Sequence, residues 1–149
     1  MLRAAVVMLV GASACLAAQR APGAPTQVRI VGDDYAFIQP PSTLPAGEAV
    51  FAFENRGKVR HELSVALLKP GLGASDVMET FRQGGRRRGL YEVSIGVLLA
   101  FPGDTAGGRL LATLLPGRTY ALICGLRDTP DAQQHALLGM IAVFSVAEH

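Results

Sequence analysis

Residues 119–146 read TYALICGLRDTPDAQQHALLGMIAVFSV, and the fold can be worked outward from them. Thr119 to Gly125 and Gly139 to Val146 are short apolar runs separated by a polar, Pro-containing stretch. Runs of that length bounded by turn residues form strands. Two such strands are expected to lie side by side, which would make the Cys124–Met140 segment a single loop at one end of the molecule. The same grammar continues upstream. Val28 and Ile30, then Tyr35 and Phe37, alternate with polar or small residues, and Pro40-Pro41 and Pro45-Ala46-Gly47 break the pattern. Glu48 to Asn55 alternates again, Asn55-Arg56-Gly57 is a turn signal, and His61 to Leu68 is the next strand. Tyr91, Val93, Ile95, Val97, Leu99 and Phe101 occupy alternate positions and predict a strand over Leu90–Phe101, with another over Arg109–Leu115. Ser75 to Gln83 is the one helix candidate, capped by Ser75, with Val77, Met78 and Phe81 on one face and Gly84-Gly85 at its end. Roughly seven or eight short strands with one helix in an insertion near 75–89 predict an all-β fold, an antiparallel Greek-key sandwich of two sheets over residues 27–149.

Composition fits one such domain. Half of the 149 residues are hydrophobic and 17% are charged, which excludes a disordered chain. Residues 1–18 read as an export signal. Met1-Leu2-Arg3 is a short basic start, Ala4 to Ala18 carries no charge, and small residues allow cleavage after Ala17 or Ala18. The run falls short of the ~20 residues a spanning helix needs. Residues 19–26 form a linker. The expected location is therefore outside the cytoplasm, periplasmic or extracellular, with a membrane tie only if the signal stays uncleaved or Cys15 is lipidated. Without Arg3 the chain holds 13 basic and 12 acidic residues, a net of +1, so nothing marks it for nucleic acid. Arg86-Arg87-Arg88 reads as a solvated loop or, more sharply, as a patch for an acidic partner.

Removal of the signal leaves Cys124 as the only thiol, in an oxidising compartment where no intramolecular disulfide can then form. Such a thiol is buried, paired with another chain or bound to a metal. Beyond it in sequence stand His135 and Met140, and far upstream FENRGKVRHELSV places His61 just after a turn. Taken singly, Met140 reads as core filler, His61 as an ordinary histidine and Cys124 as a small buried hydrophobe. Together they are one thiolate, two imidazoles and one thioether. Two imidazoles and a thiolate in a plane with a weak axial thioether describe a mononuclear type 1 copper centre, whereas zinc sites rarely recruit a thioether.

Two motifs then resemble the cupredoxins, the small blue-copper proteins. One is Asn55-x-Gly57-x3-His61; the other is Tyr120-x3-Cys124 followed by HALLGM, residues 135–140. The resemblance covers most of the chain after residue 27. It implies His61, Cys124 and His135 as equatorial ligands and Met140 as the axial one, and single-electron transfer with a redox partner protein in place of catalysis. A multicopper oxidase would need many more histidines than the three present. The chain departs from the family in two places. The family puts only a few residues between the Cys and the second His, and here there are ten, Gly125 to Gln134. The residue after the first His is often Asn, and here it is Glu62, which can accept backbone N–H bonds from the Cys loop but cannot donate. The alternatives are a metal-free binding module with the same fold and a copper delivery or storage protein. If copper is the ligand, bonds of ~2.0–2.3 Å set the three equatorial atoms roughly 3–4 Å apart. The loop residues Ala136, Leu137 and Leu138 are expected to form an apolar rim with the His135 ring edge near solvent.

Overall fold

The computed structural model describes residues 23–84 and 89–148. The expected signal with Cys15, the first half of the expected linker (residues 19–22), Arg86–Arg88 and His149 lie outside the described residues. Among the described residues no helix is long and apolar enough to cross a membrane. In chain order the elements are β1 (Thr26–Asp33), β2 (Ala36–Ile38), β3 (Thr43–Leu44), β4 (Gly47–Asn55), β5 (His61–Leu68), α1 (Ala74–Arg82), β6 (Tyr91–Ala100), β7 (Leu110–Leu114), β8 (Thr119–Ile123), α2 (His135–Leu138) and β9 (Ile141–Val146). They make two sheets, a four-stranded one in the order β2-β1-β4-β7 and a five-stranded one in the order β3-β9-β8-β5-β6.

The core lies between the sheets. Val28 and Ile30 of β1 and Ala49, Phe51 and Phe53 of β4 face Leu63, Val65 and Leu67 of β5, Tyr120 and Leu122 of β8, and Phe144 of β9. The Tyr120 and Phe144 rings stack with centroids 5.3 Å apart across the β8–β9 pair. β8 reads as an unbroken apolar run because both of its faces are covered. Tyr120, Leu122 and Cys124 point into the sandwich, while Ala121 and Ile123 pack under Val77, Phe81 and Ala136 of the two helices. The predicted neighbours are neighbours: β8 and β9 pair antiparallel from Thr119↔Ser145 to Ile123↔Ile141.

Four expectations are corrected. The sandwich is mixed, since β1 runs parallel to β4 and β3 parallel to β9. The chain switches sheets at β3 and returns at β4, and that return brings β4 alongside β1 in the same direction. Tyr35 is not a strand residue; with Asp34 it makes the two-residue β1–β2 turn, at φ 60°. α1 begins at Ala74, and its first turn is closed by Asp76, whose Oδ2 accepts the Gly73 N–H at 2.8 Å, so Ser75 is not the cap. A second helix, α2, forms from HALL itself, where a loop was expected.

Candidate metal centre

The site begins with Asn55, a buried polar residue at the end of β4. Its Nδ2 donates to the Val59 carbonyl at 2.8 Å and to the Ala100 carbonyl at 3.1 Å, and its Oδ1 accepts the Gly57 N–H at 2.9 Å. These bonds fold residues 55–60 into a tight return anchored on the end of β6. His61 therefore enters β5 at the rim of the sandwich, at the end where β8 delivers Cys124. Gly57 is needed there: a Cβ would come within 2.7 Å of Asp34 Oδ1 and 3.0 Å of the Asp34 nitrogen.

His61, Cys124 and His135 converge at this end, all fully buried. The two histidine Nδ1 atoms are 3.1 Å apart, and the Cys124 Sγ lies 3.5 Å from His135 Nδ1 and 3.8 Å from His61 Nδ1. These spacings match the triangle expected of three equatorial donors. Two imidazole nitrogens at this distance cannot both present lone pairs to each other unless a cation, a proton or a metal, sits between them. The adjacent sulfur makes a soft metal the fitting cation. His61 Nε2 is buried without a hydrogen-bond partner, so no competing polar group draws the ring from this orientation. Burial first, then the neighbouring His135, holds the His61 imidazole below its usual titration range, against the opposing pull of Asp34, Asp128 and Asp33. A neutral ring is what a metal needs.

Met140 is tied to two of these donors through the backbone. Its N–H donates to the His135 carbonyl at 3.0 Å, and its carbonyl accepts the Cys124 N–H at 3.1 Å. Its side chain is fully buried, and its methyl lies where a Cβ on Gly32 would approach it to 3.4 Å. The Cys124 sulfur accepts the Glu62 N–H at 3.4 Å, a bond that favours the thiolate. The Glu62 carboxylate accepts the Gly125 N–H at 2.9 Å, the role its chemistry permits in place of Asn. The long loop is tied down along its length. The His135 N–H donates to the Leu126 carbonyl at 2.8 Å, Gln134 Nε2 to the Gly125 carbonyl at 3.1 Å, and Arg127 to the Ala132 carbonyl.

The expectation of a solvent-facing His135 is corrected. Its side chain is only 1% exposed. Its Nε2 lies 3.0 Å from Asp128 Oδ1, and the Tyr35 hydroxyl donates to Asp128 Oδ2 at 2.5 Å. The Tyr35 ring stands edge-on to both imidazoles, 5.0 Å from His135 and 6.0 Å from His61 between centroids. The Tyr35 bond, then burial working against it and the His135 bond with it, leaves the Asp128 carboxyl below the ordinary carboxylate range. The same bond, with burial, raises the Tyr35 phenol. The apolar rim is thinner than expected, since Ala136 is buried, Leu137 packs against the second core and only Leu138 is open to solvent. Sequence reasoning missed Tyr35 and Asp128. The adjacent Asp33 and Asp34 are turn-forming residue types that could have marked a turn before Tyr35, but nothing in the sequence connects residue 35 to residue 128.

No family model matches the chain, and no curated protein matches it in sequence. Solved structures do match. Dithionite-reduced auracyanin from the photosynthetic bacterium Roseiflexus castenholzii aligns at TM-score 0.54 and 23% identity over 84% of this chain and 99% of its own. Auracyanin A, a "blue" copper protein from the green thermophilic photosynthetic bacterium Chloroflexus aurantiacus, aligns at 0.53 and 21% over 83% of this chain and 99% of its own. Auracyanin B aligns at 0.55 and 19% over 87% of this chain and 92% of its own. The fold is a cupredoxin fold. Its buried histidine pair, cysteine and methionine form a donor set consistent with one mononuclear type 1 copper ion.

Proposed function

We propose that this chain carries single electrons through one copper ion held by His61, Cys124 and His135, with Met140 as the weak fourth donor. The observation that carries the proposal is the buried triangle of two Nδ1 atoms and one Sγ, 3.1 to 3.8 Å on its sides, fixed by main-chain bonds from β5, β8 and α2. Copper bound there would supply a one-electron couple, with the thiolate and thioether favouring Cu(I) and the imidazoles accommodating Cu(II). The protein's part is to hold the donors still and dry, so that little has to move when the charge changes. Burial of every donor favours carriage over catalysis. Among the structural neighbours, auracyanin A is a "blue" copper protein, which points the same way.

Titration of the purified protein with Cu(II) tests this reading. Strong red absorption from a thiolate-to-copper transition is expected in the wild type. It should vanish in Cys124→Ser while the far-ultraviolet circular dichroism is unchanged. Colourless Cu(I) binding alone would favour copper delivery, and no binding at all would favour a metal-free module. We also place this carriage outside the cytoplasm, with a redox protein as partner, on the strength of the leader-like residues 1–18. Intact mass of the chain purified from its own cells should then begin at Ala18 or Gln19. A full-length mass would count against export with cleavage.

A further inference from the structure

The structure assigns Asp128, held by Tyr35, as the positioning residue that orients His135 toward the metal, an inference that rests on the copper reading above. Four features of the structure meet in it. His135 is fully buried, yet its Nε2 is not left without a partner as that of His61 is: it meets Asp128 Oδ1 at 3.0 Å. A carboxylate can only accept, so this bond places the His135 proton on Nε2 and leaves the Nδ1 lone pair for the triangle. The second carboxylate oxygen is taken by the Tyr35 hydroxyl at 2.5 Å, so Asp128 is itself held by the β1–β2 turn of the opposite sheet. The Tyr35 ring also packs in T-shaped contact with both imidazoles.

This assignment accounts for the ten-residue loop. Asp128 lies seven residues before His135, and a connection of only a few residues could not carry a side chain out, back and down onto the far edge of the same ring. Lengthening a loop costs little, ~0.6 kcal/mol for each doubling, so the extra residues are a cheap way to add an outer partner. The bonds from Glu62, Gln134 and Leu126 keep the lengthened loop from wandering. His135 would otherwise be a buried ring whose two tautomers differ little in energy, one of which points a proton at the metal position.

The test compares wild type, Asp128→Ala, Asp128→Asn and Tyr35→Phe by two readouts. The first is the His135 tautomer in the metal-free proteins, read from long-range nitrogen–proton correlation spectra. The second is copper affinity, with the red absorption band as its signal. Wild type should show the Nε2–H form alone. Asp128→Ala should show mixed tautomers and bind copper about 10–100-fold more weakly, the usual cost of losing such an outer partner. Asp128→Asn keeps an acceptor for His135 and should restore the single tautomer and most of the affinity, which a merely structural role for the carboxylate would not require. Asp128→Ala with wild-type tautomer and affinity would overturn the assignment. A Tyr35→Phe protein identical to wild type in both readouts would overturn the part given to Tyr35. Should the wild type take no copper, the copper reading fails by itself, and the tautomer comparison in the metal-free proteins still decides the role of Asp128.

Discussion

Gly139 shows how closely single residues constrain the centre. It precedes Met140 with φ 137°, and a Cβ there would lie 2.7 Å from the Tyr35 carbonyl oxygen. Both the backbone angle and the contact exclude a side chain. Gly139→Ala should therefore cost about 1–3 kcal/mol, the scale of a forced backbone conformation. It should also displace the Tyr35 turn from the two imidazoles. Urea unfolding of the metal-free variant measures the first effect, and a wild-type midpoint would mean that the turn yields freely. At this scale the sequence was informative where residue types are scarce. Beyond residue 18 the sequence holds one thiol and two internal histidines, so their convergence could be anticipated from chemistry alone. Asp128 is one of 12 acidic residues, and its importance comes from contacts that only the fold creates. Tyr35 was hidden for the opposite reason: its alternation with Phe37 imitated a strand, while it is in fact half of the Asp34-Tyr35 turn.

Among the elements, strand positions were more legible than strand surroundings. The alternation Val93, Val97, Leu99 and Phe101 locates β6 correctly, but those side chains are 43 to 59% exposed, and Leu98 and Ala100 face the core instead. The register shift opposite Val65 and Ala66, together with the edge position of β6, explains how an apolar set comes to lie outward. Periodicity reports that one face differs from the other, and burial depends on what packs there. β8 gives the complementary case, an unpatterned run because α1 and α2 roof its outer face. α2 was illegible as a helix since four residues carry almost no periodic signal. Its single turn matters nonetheless, because it lets the His135 carbonyl reach the Met140 N–H and so sets the spacing of two proposed ligands.

Over the whole molecule, a two-sheet sandwich could be inferred from the number of strands and their turns, whereas parallel pairing could not, since it depends on where the chain changes sheets. The pairing of β3 with β9 joins Thr43 to Ser145, side chains whose hydroxyls lie 3.3 Å apart across 102 positions of sequence. That bond ties the start of the domain to its last strand, and it has a bearing on timing. His61 and Cys124 are 63 positions apart, so the donor triangle cannot close while the C-terminal strands are still unpaired. Topologies dominated by such distant pairings fold over about milliseconds to seconds. Copper capture should therefore be the final event in the protein's maturation, and a chain threaded through a membrane in unfolded form would arrive without its ion. When denatured protein is diluted into buffer containing Cu(II), the red colour should appear at the rate of folding, whatever the copper concentration. A rate that climbed in proportion to copper would mean that the ion gathers its ligands first and the sandwich closes around it.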